Sequence, residues 1–260
     1  MKIAKKNYSQ IVKKTVANHF DILSESYDEK SIKRENYLNA IDKLILDELT
    51  QGNDFNILDV ACGTAFRTEK YKLNLNGSSV YGCDISANML SQASNRLTDG
   101  LVLADMIDLS FREGVFDAIS CLFNAVGYLS NPEERITTLR GFHKILKNNG
   151  LLFIDFMNRW HLGEGLFFRR SFLSALKIYI RSMFPSPSLK GNMFFDLPLD
   201  SKKVRGFVHG FSDREIESLL FNAQFSIVRK FIIGYDSGEL KNKKTQGQFF
   251  YIARKINNIN

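Results

Sequence analysis

Apolar positions along this chain fall into two alternating rhythms. Between residues 32 and 51, Leu38, Ile41, Leu44, Ile45 and Leu49 recur at helical spacing, and the pattern stops at Gly52. Asn56-Ile57-Leu58-Asp59-Val60 is a short apolar run that predicts a strand. It enters a turn of small side chains, Ala61-Cys62-Gly63-Thr64-Ala65, and Phe66 to Tyr71 then begin a helix. The design repeats. After a loop at Asn76-Gly77, Ser79 to Asp84 predict a second strand, and Ser86 is placed to cap a helix holding Met89, Leu90, Ala93 and Leu97. Leu101 to Met106 predict a third strand, and Val115 to Phe123 a fourth, apolar enough to be covered on both faces. Asn131-Pro132-Glu133-Glu134 starts a helix continued by Leu139, Phe142, Ile145 and Leu146; Asn148-Asn149-Gly150 ends it, and Leu151 to Met157 supply a fifth strand.

From about 160 to 205 the rhythm breaks, and it resumes at Ser212-Asp213-Arg214-Glu215, a capping box before Ile216, Leu219 and Leu220. Residues 225 to 234 and 247 to 254 alternate β-branched or aromatic with polar residues around Asp236-Ser237-Gly238, which predicts an antiparallel pair. The expectation is one α/β domain over 1–260: a doubly wound, Rossmann-like seven-stranded sheet with an antiparallel last strand pair and helices on both faces, interrupted by one insertion.

In such sheets ligands sit beyond the carboxyl ends of the strands. A pyrophosphate needs several cleared backbone positions, and only Gly63 is glycine here, so a dinucleotide is disfavoured. S-adenosylmethionine has no phosphate; its amino acid end wants carboxylate acceptors, carbonyls and close main-chain contact, which Asp59 and the Ala61–Gly63 turn offer. Asp84, at the tip of the next strand, can accept both ribose hydroxyls, and Asp105 the adenine amino group, with Ile85, Met89 and Met106 as apolar walls. Each also has a plainer reading: a strand-end Asp can simply cap a helix, and methionines commonly fill cores.

The runs ILDVACGTA, VYGCDISANML, LADMIDL, FDAISCLFNAVGYL and LKNNGLLFIDFMN, in this order, resemble the class I S-adenosylmethionine-dependent methyltransferases, in detail over residues 55 to 157. The family usually has glycine where Ala65 stands. The resemblance implies that residues 1–50 form an N-terminal lid and helix, with Tyr27 in His19–Asp28 as the lid aromatic, and that 160–205 lies on the substrate side. It also implies that the end of the fourth strand faces the sulfonium and the acceptor, so that Phe123, Asn124 and Tyr128 line the point of methyl transfer. His209, in a block similar to the family's terminal helix region, offers a general base near the pocket mouth, and Tyr128 is the other catalytic candidate.

Composition adds little to this. Cys62, Cys83 and Cys121 contain no C-x-x-C, and the four histidines no H-E-x-x-H, so neither a disulfide framework nor a metal site is expected. With no apolar h-region and no long uncharged apolar stretch, the chain reads as soluble and cytoplasmic. The formal charge is +7, and residues 160–205 hold eight basic residues against three acidic ones. Within them, 167–181 read as a basic, very apolar helix that could cap the substrate pocket, touch a membrane surface through 167–184, or meet an acidic partner. The leading function is a methyltransferase acting on a small molecule, apolar or anionic. An RNA (tRNA) methyltransferase would use the N-terminal lysines and the insertion as phosphate contacts, but the chain has no recognisable RNA-binding module. A non-catalytic S-adenosylmethionine-binding partner protein is the third reading, left open by Ala65 and the lack of an obvious base.

Overall fold

The structure, a computed structural model, describes residues 2–50, 54–161, 191–199 and 202–257. The predicted basic helix at 167–181 and its membrane or partner contacts lie outside these residues.

Seven strands form one sheet: β1 (Asn56–Val60), β2 (Ser79–Asp84), β3 (Gly100–Leu103), β4 (Phe116–Cys121), β5 (Leu146–Phe156), β8 (Phe225–Ile233) and β9 (Gln248–Lys255). Their order is β3-β2-β1-β4-β5-β9-β8, with β9 antiparallel to both neighbours and the first five parallel. A separate antiparallel hairpin joins β6 (Asn192–Leu199) to β7 (Lys202–His209). The helices are α1 (Lys2–Leu23), α2 (Tyr27–Ser31), α3 (Glu35–Leu49), α4 (Phe66–Asn74), α5 (Ala87–Ala93), α6 (Pro132–Ile145) and α7 (Asp213–Asn222).

Successive strand residues feed opposite faces, so each apolar strand builds two cores. Ile57, Val80, Phe153, Phe250 and Ile252 pack with Tyr37, Ile41, Ile45 and Leu49 of α3 and Tyr71 of α4. Leu58, Cys121, Leu152, Ile154, Phe249 and Tyr251 pack with Leu139 and Phe142 of α6 and Ile216 and Leu220 of α7. Ile41, Ile45 and Leu49 are at most 1% exposed, and each fully buried aliphatic side chain contributes about 1.5–3 kcal/mol. The α3 stripe is thus what fastens that helix to the sheet.

Caps fix where the helices begin. Ser86 Oγ accepts from Met89 N at 3.1 Å, Asn131 Oδ1 from Glu134 N at 2.9 Å and Ser212 Oγ from Glu215 N at 3.3 Å. Only half of the predicted Ser212–Glu215 box forms, because the Glu215 carboxylate turns to His209 and Arg159. Two boundaries differ from the sequence pattern. The third strand ends at Leu103, leaving Asp105 in the loop beyond it. Pairing of β5 already starts at Leu146, then skips from Phe116↔Leu146 to Ala118↔Leu151, so Asn148-Asn149-Gly150 is a bulge inside a strand; Asn149 has φ 62°.

The turn after β1 determines the rest of this edge. Ala61, Gly63 and Ala65 have φ of 58°, 56° and 55°, so every second residue is left-handed. Cys62 N donates to Cys83 O at 3.0 Å and Ala65 N to Cys62 O at 2.9 Å. Beneath the turn, the Asp59 carboxylate accepts from Thr68 Oγ1 of α4 at 2.9 Å and from Ser120 Oγ of β4 at 2.6 Å, tying strand, helix and neighbouring strand together.

Two outcomes follow from these contacts. Ala65→Gly should raise stability by about 0.5–1 kcal/mol, because an L-residue is strained at positive φ and glycine is not; a urea midpoint that stays or falls would show the strain to be absent. Asp59→Ala should cost about 2–4 kcal/mol in the same assay by leaving two buried hydroxyls without an acceptor, whereas a midpoint equal to the parent's would assign Asp59 no bracing role.

Candidate functional site

All parallel strands end at the edge where the left-handed turn stands, and the strand-end acids meet there. Asp84 Oδ2 accepts from Gly63 N at 2.8 Å and its Oδ1 from Ser86 N at 2.8 Å. This one carboxylate orients the turn after β1 and the start of α5. Burial raises the Asp84 pKa above the usual carboxylate range, against the lowering effect of these backbone donors. A cavity opens beside it, lined by Val60 and Ala61 at the end of β1, Ile85 after β2, Met106 after β3 and Leu129 after β4. Val12 and Val16 of α1 close it from above. It is an apolar slot with Asp84 and Asp105 on its wall.

The N-terminal segment is fastened over this edge by polar contacts. Lys13 Nζ pairs with Asp105 and Ser9 Oγ donates to Glu134. Ser86 Oγ donates to Asp21 Oδ1, and Thr64 Oγ1 to Asp28 Oδ1, at 2.5 Å each. Arg96 joins Asp28 and Glu69 at 2.8 Å each. The Tyr27 ring reaches the turn: its Cε1 lies 3.9 Å from where a Cβ on Gly63 would stand, as does Met89 Sδ. Helix α1 also rests on the hairpin, with His19 edge-on to Phe195 at 5.7 Å.

The end of β4 is strained as well, with φ of 61° at Phe123 and 55° at Asn124. Asn124 is committed to the fold through three contacts: its backbone N donates to Asp155 Oδ1 at 2.7 Å, its Oδ1 accepts from Met157 N at 2.9 Å, and its Nδ2 donates to His209 O at 3.1 Å. Tyr37 Oη donates to the other Asp155 oxygen at 2.7 Å. Phe123 lies under two guanidinium groups, Arg67 at 4.9 Å and Arg34 at 5.6 Å. Tyr128 lines the cavity and meets Phe20 edge-on at 5.1 Å.

The predicted site residues therefore separate into groups. Ala61, Asp84, Ile85, Asp105, Met106 and Tyr128 line one cavity, with Gly63 and Tyr27 at its turn. Asp59 is 2% exposed with both oxygens occupied, and Met89, at 1%, backs the turn rather than the slot. His209 is 1% exposed; Nε2 donates to Glu215 Oε1 at 2.9 Å and Nδ1 lies 2.6 Å from the Asn192 amide oxygen. Burial pushes its pKa down to about 4 despite Glu215. The ring is held by the fold and faces away from solvent, so the expected base at the pocket mouth has no free nitrogen to offer. Sequence reading missed Asp155, although LLFIDFMN carries the same strand-end acid as the other strands. The pairing of Lys13, one of the N-terminal lysines, with Asp105 has no local pattern from which it could have been read.

The cavity suits an adenosyl group. The slot is apolar, Asp84 and Asp105 lie on its wall, and small left-handed residues clear the main chain beside Asp84.

Residues 57–150 match the family model described as "Methyltransferase domain". Over 116 residues the chain is 35% identical to a glycine/sarcosine N-methyltransferase of Parasynechococcus marenigrum, an alignment covering 42% of this chain and 40% of that protein. The chain thus spans about two fifths of the length of that curated relative. An uncharacterised protein of Methanocaldococcus jannaschii is 23% identical over 97% of this chain and 95% of its own. Among solved structures, the Burkholderia thailandensis 1,6-didemethyltoxoflavin-N1-methyltransferase, with its substrate and S-adenosylhomocysteine bound, superposes with a TM-score of 0.64 at 14% identity over 96% of this chain and 91% of that one. The matched domain runs from β1 through the bulge of β5, and the sheet around it has the fold of solved S-adenosylmethionine-dependent methyltransferases, among them one from Methanosarcina mazei that is 21% identical with a TM-score of 0.60 over 79% of this chain and 94% of that one.

Proposed function

We propose that this protein transfers the methyl group of S-adenosylmethionine to a nitrogen of a small molecule. The observation that carries the reading is the cavity itself: an apolar slot flanked by Asp84 and Asp105, opening beside a left-handed turn of small residues. Support for nitrogen as acceptor comes from the relatives, since the Parasynechococcus protein is a glycine/sarcosine N-methyltransferase and the Burkholderia enzyme an N1-methyltransferase.

A sulfonium methyl is already activated, so the chain's task is to align the acceptor in line with it and to exclude water. In this reading Asp84 takes the ribose hydroxyls and Asp105 the adenine amino group, and Ile85 and Met106 sandwich the ring. Tyr27, carried on the segment that Asp21 and Asp28 fasten down, covers the reacting end. Phe123 and Tyr128 wall the acceptor side. A free amine attacks as its neutral form, so it must lose a proton before the transfer, to solvent or to a nearby carboxylate. Asp155, at the end of β5, is buried with its oxygens taken by Asn124 N and Tyr37 Oη, and burial holds its pKa above the usual range, so in this reading the proton leaves to solvent.

Calorimetric titration tests the reading. The protein should bind S-adenosylhomocysteine with one site and leave NAD unbound; binding of NAD alone, or of neither, would sink it. Asp84→Ala should weaken S-adenosylhomocysteine tenfold or more, through loss of charge-assisted hydrogen bonds. Equal affinity in a folded variant would remove Asp84 from the ribose.

A further inference from the structure

We propose that α1 is a self-inhibitory strap: Lys13 holds the Asp105 carboxylate and keeps the slot shut, and the helix must lift before an adenosyl group can enter. The proposal rests on the methyl-transfer reading above and adds to it a control on access to the same cavity.

Four residues of α1 line the slot, Ser9, Val12, Lys13 and Val16. Their spacing is i, i+3, i+4 and i+7, so one face of the helix is turned onto the cavity. Val12, at 1% exposure, and Val16 are the apolar part of that face. Ser9 and Lys13 are its polar part, and each is tied to a carboxylate that lines the same cavity: Ser9 Oγ donates to Glu134, and Lys13 Nζ pairs with Asp105. Glu134 is anchored in turn, its other oxygen accepting from Ser130 N and Ser130 Oγ at 2.9 Å each. The helix is thus clamped both to α6 and to the loop after β3.

The walls have the chemistry for an adenosyl group, but the space does not match. The slot encloses about 60 Å³. An apolar cavity of about 150 Å³ takes a single benzene ring, and adenine with its ribose is larger than benzene. One side of the slot must therefore yield. The floor is ill-suited to move, since Val60 and Asp84 belong to paired strands of the sheet. Helix α1 is held over the opening by side chains alone, and its ion pair to Asp105 is accessible to solvent, with Lys13 53% and Asp105 23% exposed.

Lys13 does more than narrow the slot. Asp105 Oδ1 accepts from Ile107 N at 3.1 Å and Oδ2 from Lys13 Nζ, so both oxygens already have donors. An ammonium N–H offers a carboxylate what the adenine amino group would offer, with a full charge behind it. Lys13 is in this sense an internal competitor for the acceptor that the base needs. A competitor carried on the same chain lowers the apparent affinity in proportion to the fraction of molecules in which it has let go.

Calorimetric titration with S-adenosylhomocysteine, a zwitterion without net charge at neutral pH, tests the strap on the parent and on Lys13→Met, which keeps the apolar stem and removes the ammonium. The variant should bind about three- to fivefold more tightly, the gain that release of a solvent-accessible ion pair allows. Raising NaCl from about 0.05 M to about 0.5 M screens the pair and should bring the parent's affinity up towards the variant's. Ser9→Ala, which frees the other clamp, should shift affinity in the same direction and answers the question if Lys13→Met does not fold. Binding by the variants alone would support the strap in its tightest form. Weaker binding by Lys13→Met would make Lys13 a ligand contact, and equal affinity with an unaltered salt response would leave its pairing with Asp105 without effect on entry; either overturns the strap. If neither the parent nor the variants bind, the methyl-transfer reading itself falls, and the strap with it.

Discussion

The Asp84 carboxylate is the contact on which the rest of this edge depends. It holds Gly63 N and Ser86 N at 2.8 Å each, so the turn after β1 and the helix after β2 have a common reference point. A turn with left-handed residues at positions 61, 63 and 65 opposes the ordinary preference of L-residues, and it persists because hydrogen bonds to Asp84, Cys83 O and Cys62 O over-determine it. Asp59 reinforces the same region from beneath. Its raised pKa, caused first by burial and opposed by Arg67, Ser120 and Thr68, marks a carboxylate used for bracing.

The cover over this edge has a different character from the sheet below. The sheet is held by close-packed apolar faces, whereas α1 and α2 combine a few apolar contacts, such as buried Val12 and Leu23, with side-chain polar ones: Lys13 to Asp105, Asp21 to Ser86, Asp28 to Thr64 and Arg96. Lys13 is 53% exposed and Asp28 45%, and solvent-accessible pairs of this kind contribute about 1 kcal/mol or less.

Charge divides this edge: Asp84 and Asp105 lie on the cavity wall, whereas Arg34 and Arg67 stand over the Phe123 ring. Among the described residues no helix is long and apolar enough to cross a membrane.

The sequence alone determined the sheet and its acids. Apolar runs of strand length, each followed by a turn and a helix, specify β1, β2, β4 and β5 through local periodicity, and Asp84 and Asp105 were legible because strand ends face ligands in this architecture. The turn could be read from its small residues, Ala61, Gly63 and Ala65, whose shared left-handed conformation gives the spacing its meaning. Tertiary structure decided which acids reach the cavity. Asp59 and Asp84 look alike in sequence, yet one is filled by Thr68 and Ser120 while the other lines the cavity. It likewise withdrew His209 into a contact with Glu215, and brought Lys13 to Asp105, Tyr37 to Asp155 and Arg34 to the Phe123 ring. Such pairs join residues far apart in the chain. Their energy comes from long-range packing and burial, which leave no periodic trace in the segments that meet.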